Sequence, residues 1–476
     1  MRPGFRSTPP NEKDRQSYNI KPVISKVYEF TGQCNEKGEE CAKRIKWALR
    51  KVGIEARHIR GFSRIFVAEG EIPEPYAAGF KEIPSQPISE ALGFDEHDIT
   101  YLFGNGRGIT PYDILRLEPY KCHSNVIDVV MYYENSEYRK KLKELLRPYL
   151  LNKKQLSIKY QKLKWLDDLR HGQGVKVALL SENALNRMLE TIAKIKVGSY
   201  KSELGVSTLQ IVNGDKLLKI GVDGAEYFAA NLLSAIYFKA GCVPFYVELP
   251  MRLNAGDNDA LRLHRALYIG VGIGRSESGY VKAAAVIMTG HGEILTYLHH
   301  DFRSNGKSME FDENELKKFI EIIEGEVENF ARRHGEPALL AVVRSRQFHE
   351  SEWRSIKRPF SRFWLSLKSR GVPVLLMSWY DTKDYIGKGN AVQIGPKEVK
   401  GGIHGVWLLQ LSKFKHAVQL SYYSTIKNPV LPATAYIYLR ELDFTSLTKN
   451  RTKPAPVKYV HKYLKWLIRT YDRRNA

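Results

Sequence analysis

The sequence predicts an α/β protein with two successive sheets, the first doubly wound and mostly parallel, the second beginning as an antiparallel meander. The first sheet is predicted because apolar, strand-like runs at 126–131 and 175–180 alternate with segments of helical periodicity. The second is predicted because three strand-like runs follow Arg265 with only short glycine-containing turns between them. An apolar fraction of 43% is typical of a globular chain.

The first hundred residues are predicted to form a small α/β segment of their own. Residues 1–20 are polar and rich in proline and arginine, which indicates a loose arm. The elements predicted after this arm are a strand, a helix and a strand, at 26–30, 36–52 and 64–67. Prolines recur between residues 73 and 87 and indicate a linker.

Polar residues at the ends of the first sheet's elements indicate an anion site. After the strand at 126–131, the predicted elements alternate between helix and strand, at 137–150, 175–180, 181–196, 206–212, 226–239 and 243–247. The lysines from 153 to 164 are taken only to continue the charge of the first helix. Ligands bind beyond the carboxyl ends of strands in such sheets, where Lys196, Gln210 and Lys239 could meet. A phosphate would supply the anion that a buried lysine needs, although Lys239 could also be just a favourable charge at a helix end.

The second half of the chain has the element order of the RNase H fold. Three strands are predicted first, at 266–273, 280–288 and 293–299. A helix, a strand, a helix and further strands follow, at 312–334, 338–343, 350–370, 372–378, 405–411 and 417–422. A basic amphipathic helix at 456–471 closes the chain.

The charge of the chain indicates a polyanionic partner. Lys plus Arg number 74 and Asp plus Glu number 52, so the formal net charge is +22. Nucleic acid is the commonest partner of such a protein. The alternative is a general surface charge, as in ribosome-associated or heat-adapted proteins.

Membrane and disulfide chemistry are not expected from the sequence. No apolar run approaches the roughly 20 residues of a membrane-spanning helix, and the first residues lack an apolar signal core. The chain is therefore predicted to be cytoplasmic. Four cysteines occur without a CxxC pair or metal-ligand spacing, and we expect ordinary thiols in a chain of this size.

Four stretches of the sequence resemble the Argonaute family, in its short prokaryotic form built from MID and PIWI domains. They lie at 101–104 (Tyr-Leu-Phe-Gly), 205–210 (Gly-Val-Ser-Thr-Leu-Gln) with the residues up to Gly241, 267–272 (Leu-Tyr-Ile-Gly-Val-Gly) and 454–462. The resemblance covers residues 100–476. It implies a MID domain at 101–261 and an RNase H-like PIWI domain at 262–476, and it says nothing about the N-terminal segment at 1–100.

The resemblance also implies a MID pocket that holds the 5′-phosphate of a guide strand. Gln210 and Lys239 match the family's pocket residues directly, and Asn231 matches a third position two helical turns before Lys239. Lys196 is the choice for the upstream lysine and Lys201 the second choice. Ile192 stands where the family has a tyrosine, which leaves open a different 5′ end, an Mg²⁺ ion at the phosphate or another lysine.

The PIWI domain is predicted to be catalytically inactive. The positions that match the family's metal-binding tetrad hold Gly272, Ser345 and His461, and two-metal cleavage needs carboxylates there. No cofactor for catalysis is therefore expected. The alternative is an active nuclease that uses shifted acids, Glu350 or Glu352, and a third hypothesis is a sequence-independent nucleic-acid scaffold.

The closing helix is predicted to contact nucleic-acid backbone through Lys458, Lys462 and Lys465, although a half-buried helix with a solvated face has the same pattern. The resemblance implies a short guide, RNA by preference, against a complementary DNA target in host defence. It further implies a separate effector protein of the APAZ-containing kind. No direct membrane insertion is expected.

Overall fold

The computed structural model describes most of the chain as two compact units. The described residues are 23–36, 38–59, 61–151, 153–170, 174–199, 208–250, 257–275, 280–303, 313–345, 363, 366–399, 401–447 and 452–471. One unit comprises Met1–Ser85 with Lys383–Gly387, and the other comprises Gln86–Thr382 with Lys388–Ala476. Within the described ranges, no helix combines the length and the apolar character that a bilayer crossing requires.

The first unit is a four-stranded antiparallel sheet of order β2-β3-β1-β4 with one long helix packed on it. Its elements are β1 (Ser25–Phe30), α1 (Glu39–Lys51), β2 (Ala56–His58), β3 (Ile65–Glu69), α2 (Glu74–Ala77) and β4 (Phe80–Ile83). The helix buries Cys41, Ile45 and Leu49, which share one face at spacings of four residues. The proline-rich linker prediction is wrong, because residues 73–87 contain α2, β4 and the start of the next strand; proline is compatible with a helix's first turn.

Both pairs of cysteines form disulfides, so the prediction of ordinary thiols is wrong in this structure. Cys34 is bonded to Cys41 and Cys122 to Cys242, with Cα–Cα distances of 6.1 Å and 4.2 Å. The second pair is separated by 120 residues, and the fold brings it together where Lys121 pairs with Val243. The sequence spacing contained no sign of that contact.

A small three-stranded sheet precedes the parallel one in the second unit. After β5 (Gln86–Pro87) and α3 (Ile88–Leu92), the strands β6 (Thr100–Phe103) and β7 (Gly106–Gly108) form a hairpin. The predicted strand at 243–247 is observed as Tyr246–Glu248 and pairs antiparallel with β6 rather than joining the parallel sheet. Phe245 packs edge-on against Tyr101, with ring centroids 5.3 Å apart, and this aromatic contact fixes the pairing.

The predicted doubly wound sheet is present, with four parallel strands in the order β11-β10-β8-β9. Its strands are β8 (Ile127–Tyr133), β9 (Leu156–Lys162), β10 (Val175–Leu180) and β11 (Leu209–Asn213). Its helices are α4 (Ser136–Leu150), α5 (Glu182–Arg187), α6 (Leu189–Ser199), α7 (Gly214–Leu218) and α8 (Val222–Lys239), and β12 is Tyr246–Glu248. The strand β9 was not predicted, although its apolar residues Leu156, Ile158 and Tyr160 alternate with the polar residues Ser157, Lys159 and Gln161 as in a half-buried strand.

The second lobe of this unit is a nine-stranded mixed sheet of order β15-β14-β13-β16-β17-β20-β19-β18-β5. Its strands are β13 (Ala266–Arg275), β14 (Tyr280–Thr289), β15 (Ile294–Arg303), β16 (Leu339–Ser345), β17 (Val374–Asp381), β18 (Asn390–Val399), β19 (Gly402–Gln410) and β20 (Val418–Ser424). Its helices are α9 (Asp257–His264), α10 (Glu313–His334), α11 (Leu431–Glu441) and α12 (Ala455–Tyr471). The antiparallel meander β13-β14-β15 and the parallel β13-β16-β17 order confirm the RNase H-like prediction. Most of the predicted helix at 350–370 lies outside the described residues.

Glycines on β13 form the seat on which α12 packs. A Cβ at Gly270 would overlap the backbone of Pro456, and a Cβ at Gly272 would lie 2.8 Å from Cδ1 of Leu464. Only glycine allows the helix to approach the strand this closely. The glycine run of β13 therefore serves helix packing, and α12 runs along β13 with His461 beside Ser345 at the end of β16.

Candidate nucleic-acid interface

Three lysines from three helices converge beside the parallel sheet. Lys196 lies in the last turn of α6, Lys239 is the last residue of α8, and Lys462 lies in the middle of α12. The helix α12 packs on α6, so its polar face meets the ends of α6 and α8. Only 8% of Lys196 and 8% of Lys239 is exposed. We call these three residues the lysine cluster.

The members of the lysine cluster are held by neutral oxygens and by an aromatic ring. Lys196 Nζ donates to the carbonyl of Leu209 at 3.1 Å and lies 5.1 Å from the centroid of the Trp466 ring. Lys462 Nζ donates to the hydroxyl of Thr445. A cation over an indole face is stabilised without its charge being neutralised, so the positive charge of the cluster stays available to a ligand.

Burial depresses the pKa of each lysine in the cluster, and repulsion by neighbouring lysines adds to this effect. Burial and, to a smaller extent, the nearby charge of Lys462 lower the pKa of Lys196 to about 7. Burial also lowers the pKa of Lys462 to about 8, against the opposing effect of Asp443. The pKa of Lys239 falls well below its ordinary value because of burial and because Lys196 and Lys462 are close. An anion bound among the three would reverse these shifts.

The three positions that replace the metal-binding tetrad also come together. The hydroxyl of Ser345, at the end of β16, lies 2.8 Å from Nε2 of His461 on α12. A Cβ at Gly272 would lie 3.4 Å from Cδ2 of the same histidine. In the part of the chain that the structure describes, a group of three residues able to share a metal ion occurs elsewhere, at Asp95, Glu96 and His97. Glu350 and Glu352 lie outside the described residues.

Solved Argonaute and Piwi structures match this chain over most of its length. The Marinitoga piezophila Argonaute in complex with a 5′-hydroxyl guide RNA matches with a TM-score of 0.52 and 13% identity, over 91% of this chain and 64% of that one. Drosophila Piwi matches with a TM-score of 0.58 and 13% identity, over 86% and 56% of the two chains. The A. aeolicus Argonaute matches with a TM-score of 0.51 and 14% identity, over 96% of this chain and 73% of that one. The chain has an Argonaute-like fold.

The likeness is one of structure, and it is partial in length. The chain spans about 64% of the length of the Marinitoga piezophila Argonaute and about 56% of Drosophila Piwi. No family model matches the sequence, and no curated protein matches it either. The parallel sheet is thus the MID-like lobe and the nine-stranded sheet the PIWI-like lobe, as the resemblance implied. The division between a MID domain at 101–261 and a PIWI domain at 262–476 stays a prediction.

The other predicted residues of the MID-like lobe lie in different surroundings. Gln210 is half-buried on β11, and its side chain donates to the carbonyl of Ile211 at 3.2 Å. Asn231 accepts from the backbone N–H of Leu447 at 2.7 Å and donates to the carbonyl of Tyr227 at 2.7 Å. It lies two turns, about 12 Å along the helix, before Lys239. Asn231 therefore joins α8 to the segment before α12, and Lys201 lies outside the described residues.

The lysines predicted on the closing helix of the PIWI-like lobe have three different environments. Lys458 pairs with the fully buried carboxylate of Asp443, and Lys465 is exposed. Lys462 belongs to the lysine cluster, a role that the sequence did not predict. Lys458, Lys462 and Trp466 recur every four residues, so they share one helix face. This four-residue spacing, together with the resemblance to a MID pocket, was the sequence signal that could have indicated a role for Lys462 beside Lys196 and Lys239.

Proposed function

We propose that this chain holds a short guide strand by its 5′-phosphate at Lys196, Lys239 and Lys462, and recognises a complementary strand by base pairing. The observation that carries this proposal is the convergence of two buried lysines, Lys196 and Lys239, and the half-buried Lys462 from three separate helices, each with a depressed pKa. Such an arrangement is costly unless an anion of high charge density completes it. A terminal phosphate carries up to two negative charges and several acceptor oxygens, which match three ammonium donors.

Guide and target chemistry are proposed with the help of the structural neighbours. The Marinitoga piezophila Argonaute was solved with a 5′-hydroxyl guide RNA and a target DNA, and the Clostridium butyricum Argonaute with a guide DNA and a target DNA. For this chain we propose an RNA guide and a DNA target, as the sequence resemblance implied. The lysine cluster favours a phosphate at the 5′ end, because a phosphate attracts the three ammonium groups and accepts their hydrogen bonds, whereas a hydroxyl brings no negative charge to the site.

The Mg²⁺ ion that was predicted as a possibility at the 5′-phosphate does not fit the residues present. Ammonium groups repel a divalent cation and donate hydrogen bonds rather than ligate, and Asp443 is paired with Lys458. We propose that the three lysines supply the positive charge themselves. Guide binding should accordingly persist in EDTA.

We propose that the PIWI-like lobe binds the target without cutting it. Two-metal cleavage needs carboxylates that place two ions a few ångströms apart, and the matching positions hold Gly272, Ser345 and His461. Leu464 also fills the space that a side chain at residue 272 would occupy. The alternative, an active site built from Glu350 or Glu352, predicts guide-length-defined cutting with Mg²⁺ or Mn²⁺ that is lost when those acids are changed.

Sequencing of the nucleic acids that co-purify with the protein, with analysis of their 5′ ends, tests the proposed function. We expect short strands of narrow length distribution with 5′-phosphates, and their loss from a Lys239→Ala variant. Long, heterogeneous strands, or strands retained equally by Lys239→Ala, would support the sequence-independent scaffold instead. Identification of co-purifying polypeptides tests the proposal of a separate effector partner, which the resemblance to short Argonautes supports, together with the proposed role in host defence.

A further inference from the structure

The outer edge of the parallel sheet carries a second basic surface, away from the lysine cluster. The strand β9 is the edge strand and pairs with β8 on its inner side, whereas Lys196 hydrogen-bonds to β11 at the opposite edge. Three strand spacings separate the two edges, about 14 Å at about 4.8 Å each. Exposed lysines occur on β9 and directly after it, at Lys159, Lys162 and Lys164.

An exposed tryptophan follows these lysines and is held in place by its backbone. Trp165 is 75% exposed, an unusual exposure for the largest apolar side chain. The backbone N–H groups of Lys164 and Trp165 both donate to Oδ2 of Asp168, at 3.3 Å and 3.2 Å. The carboxylate thereby fixes the turn that presents the indole to solvent. The ring packs little against the protein, so its face is open to a ligand.

Basic residues of the neighbouring helix extend this surface. Lys143 on α4 lies over the ring of Tyr160 on β9, with Nζ 4.6 Å from the ring centroid, so the helix packs on the face of the strand that carries Tyr160 and Lys162, while Lys159 lies on the opposite face of the same edge strand. Lys140, Arg147 and Lys154 are exposed on the same helix and on the turn after it. The combination of a basic strand, a basic helix and a presented aromatic ring is typical of surfaces that bind single-stranded nucleic acid.

We propose that Lys159, Lys162, Lys164 and Trp165 form a binding surface for single-stranded nucleic acid outside the 5′-phosphate pocket. The lysines contact backbone phosphates, and the indole stacks on an unpaired base. An unpaired base is required because the bases of a duplex already stack on one another. This surface goes beyond the proposed function, since it needs no 5′ end and would bind a strand portion that is not paired with the guide.

Charge-loss variants of the full chain test the contribution of the lysines. The probe is a single-stranded oligonucleotide with a 5′-hydroxyl, titrated at several salt concentrations. For Lys159→Ala/Lys162→Ala/Lys164→Ala we expect the salt slope of log affinity to fall by about 2, at about 0.7 per released phosphate contact. The matched control, Lys317→Ala/Lys388→Ala/Lys427→Ala, removes three exposed lysines elsewhere and should keep the original slope.

Variants of the tryptophan test the stacking contact. Trp165→Ala should lose about tenfold in affinity for the single strand, the size expected for one stacked base, whereas Trp165→Phe should retain most of it. A duplex of the same length should bind equally to wild type and Trp165→Ala. The same differences are expected when Lys239→Ala is also present, because the probe has no 5′-phosphate for the lysine cluster to bind. The test of this surface is therefore independent of the test of the proposed 5′-phosphate pocket.

Edge lysines also prevent strands of different molecules from pairing, which is the competing explanation of β9. If the lysine variant associates with itself on size-exclusion chromatography while its salt slope equals that of the control variant, the lysines act only as edge protection and the proposal is wrong. Equal binding of the single strand by wild type and Trp165→Ala would overturn the stacking role.

Discussion

At the residue scale, the lysine cluster is the part of the molecule that is least favourable without a ligand. Lys196 and Lys239 are buried, and Lys462 is half-buried beside them. The charge of Lys462 lowers the pKa of both other lysines, and the charge of Lys196 lowers the pKa of Lys239. Desolvation of an ammonium group costs free energy that neutral hydrogen-bond partners such as Leu209 and Thr445 recover only in part. The site is therefore expected to gain stability and protons together when an anion binds.

Guide binding should depend on pH in a direction that the pKa values fix. In the free protein the pKa of Lys196 is about 7 and that of Lys462 about 8. A bound phosphate raises both, so the complex takes up protons and affinity falls as pH rises above about 7. Below pH 6 or so the phosphate itself takes up a proton and becomes a monoanion, which also weakens binding. Calorimetry at pH 8 in buffers of different ionisation heat should detect proton uptake with a 5′-phosphorylated guide and none with a 5′-hydroxyl guide.

Removal of one charge from the cluster should stabilise the free protein. Lys239→Met replaces a buried, repelled ammonium by an apolar chain of similar length, so the thermal midpoint of the unliganded protein should rise. Lysine binds more protons in the unfolded state than in this site, so wild-type stability should rise with pH from about 7 toward 10, and the variant should show less of this rise. The exposed Lys465→Met is the control and should change neither quantity. A lower thermal midpoint for Lys239→Met than for wild type would contradict the expectation that the buried charge of Lys239 destabilises the unliganded protein.

At the element scale, the packing of α12 on the glycines of β13 places both candidate sites. The same helix carries Lys462 on the face toward α6 and His461 on the side toward Ser345. Strand and helix positions were predictable, because periodicity of apolar residues specifies them locally. The placement of Lys462 beside Lys239 was not, because it depends on how α12 packs against α6, which no local pattern encodes. The strand β9 was missed for another reason: the segment was interpreted from the charge of its lysines, although Leu156, Ile158 and Tyr160 alternate with polar residues as in a strand.

Restoration of acids should not restore cleavage, because the seat of α12 leaves no room for a side chain. Gly272→Asp with Ser345→Asp returns carboxylates to two tetrad positions, yet Cβ of residue 272 would press on Leu464. We expect no guided cutting with Mg²⁺ and a loss of about 1–3 kcal/mol in the free energy of unfolding. Gly325→Ala, on α10 with open space around its Cβ, is the control and should be neutral or slightly stabilising. Guided cutting by the double variant would contradict this expectation and would show that α12 can shift to make room for a side chain at residue 272.

At the scale of the whole molecule, the sequence predicted the order of the sheets better than the contacts that fasten distant segments. One such contact is a buried ion network in the second unit. The guanidinium of Arg440 on α11 bonds to Glu96 at 3.2 Å and to Glu441 at 2.6 Å, and all three side chains are at most 6% exposed. Tyr101 donates to Glu441 at 2.8 Å. Like the Cys122–Cys242 bond, the pair of Arg440 and Glu96 joins residues that are more than a hundred positions apart in the sequence. Only the assembled fold reveals such contacts.

Disruption of this network should lower the stability of the second unit markedly. Arg440→Met leaves two carboxylates buried without a counter-charge, which costs roughly 3–5 kcal/mol in the free energy of unfolding. Chemical denaturation at pH 7 measures this loss. Lys427→Met, which breaks an exposed pair with Glu398, is the control and should cost less than about 1 kcal/mol. A loss for Arg440→Met as small as that of the control would mean that water reaches the network.

The central claim is that the lysine cluster recognises a 5′-phosphate, and one ratio tests it most directly. The affinities of two guides of the same sequence, one with a 5′-phosphate and one with a 5′-hydroxyl, are measured in EDTA for wild type and for Lys196→Ala, Lys239→Ala, Lys462→Ala and Gln210→Ala. We expect wild type to prefer the phosphorylated guide, and each lysine variant to lose roughly 1–3 kcal/mol of that preference while it binds the hydroxyl guide unchanged. Gln210→Ala should lose a similar amount if its half-buried amide turns toward the phosphate. Equal affinities of wild type for the two guides would contradict the account.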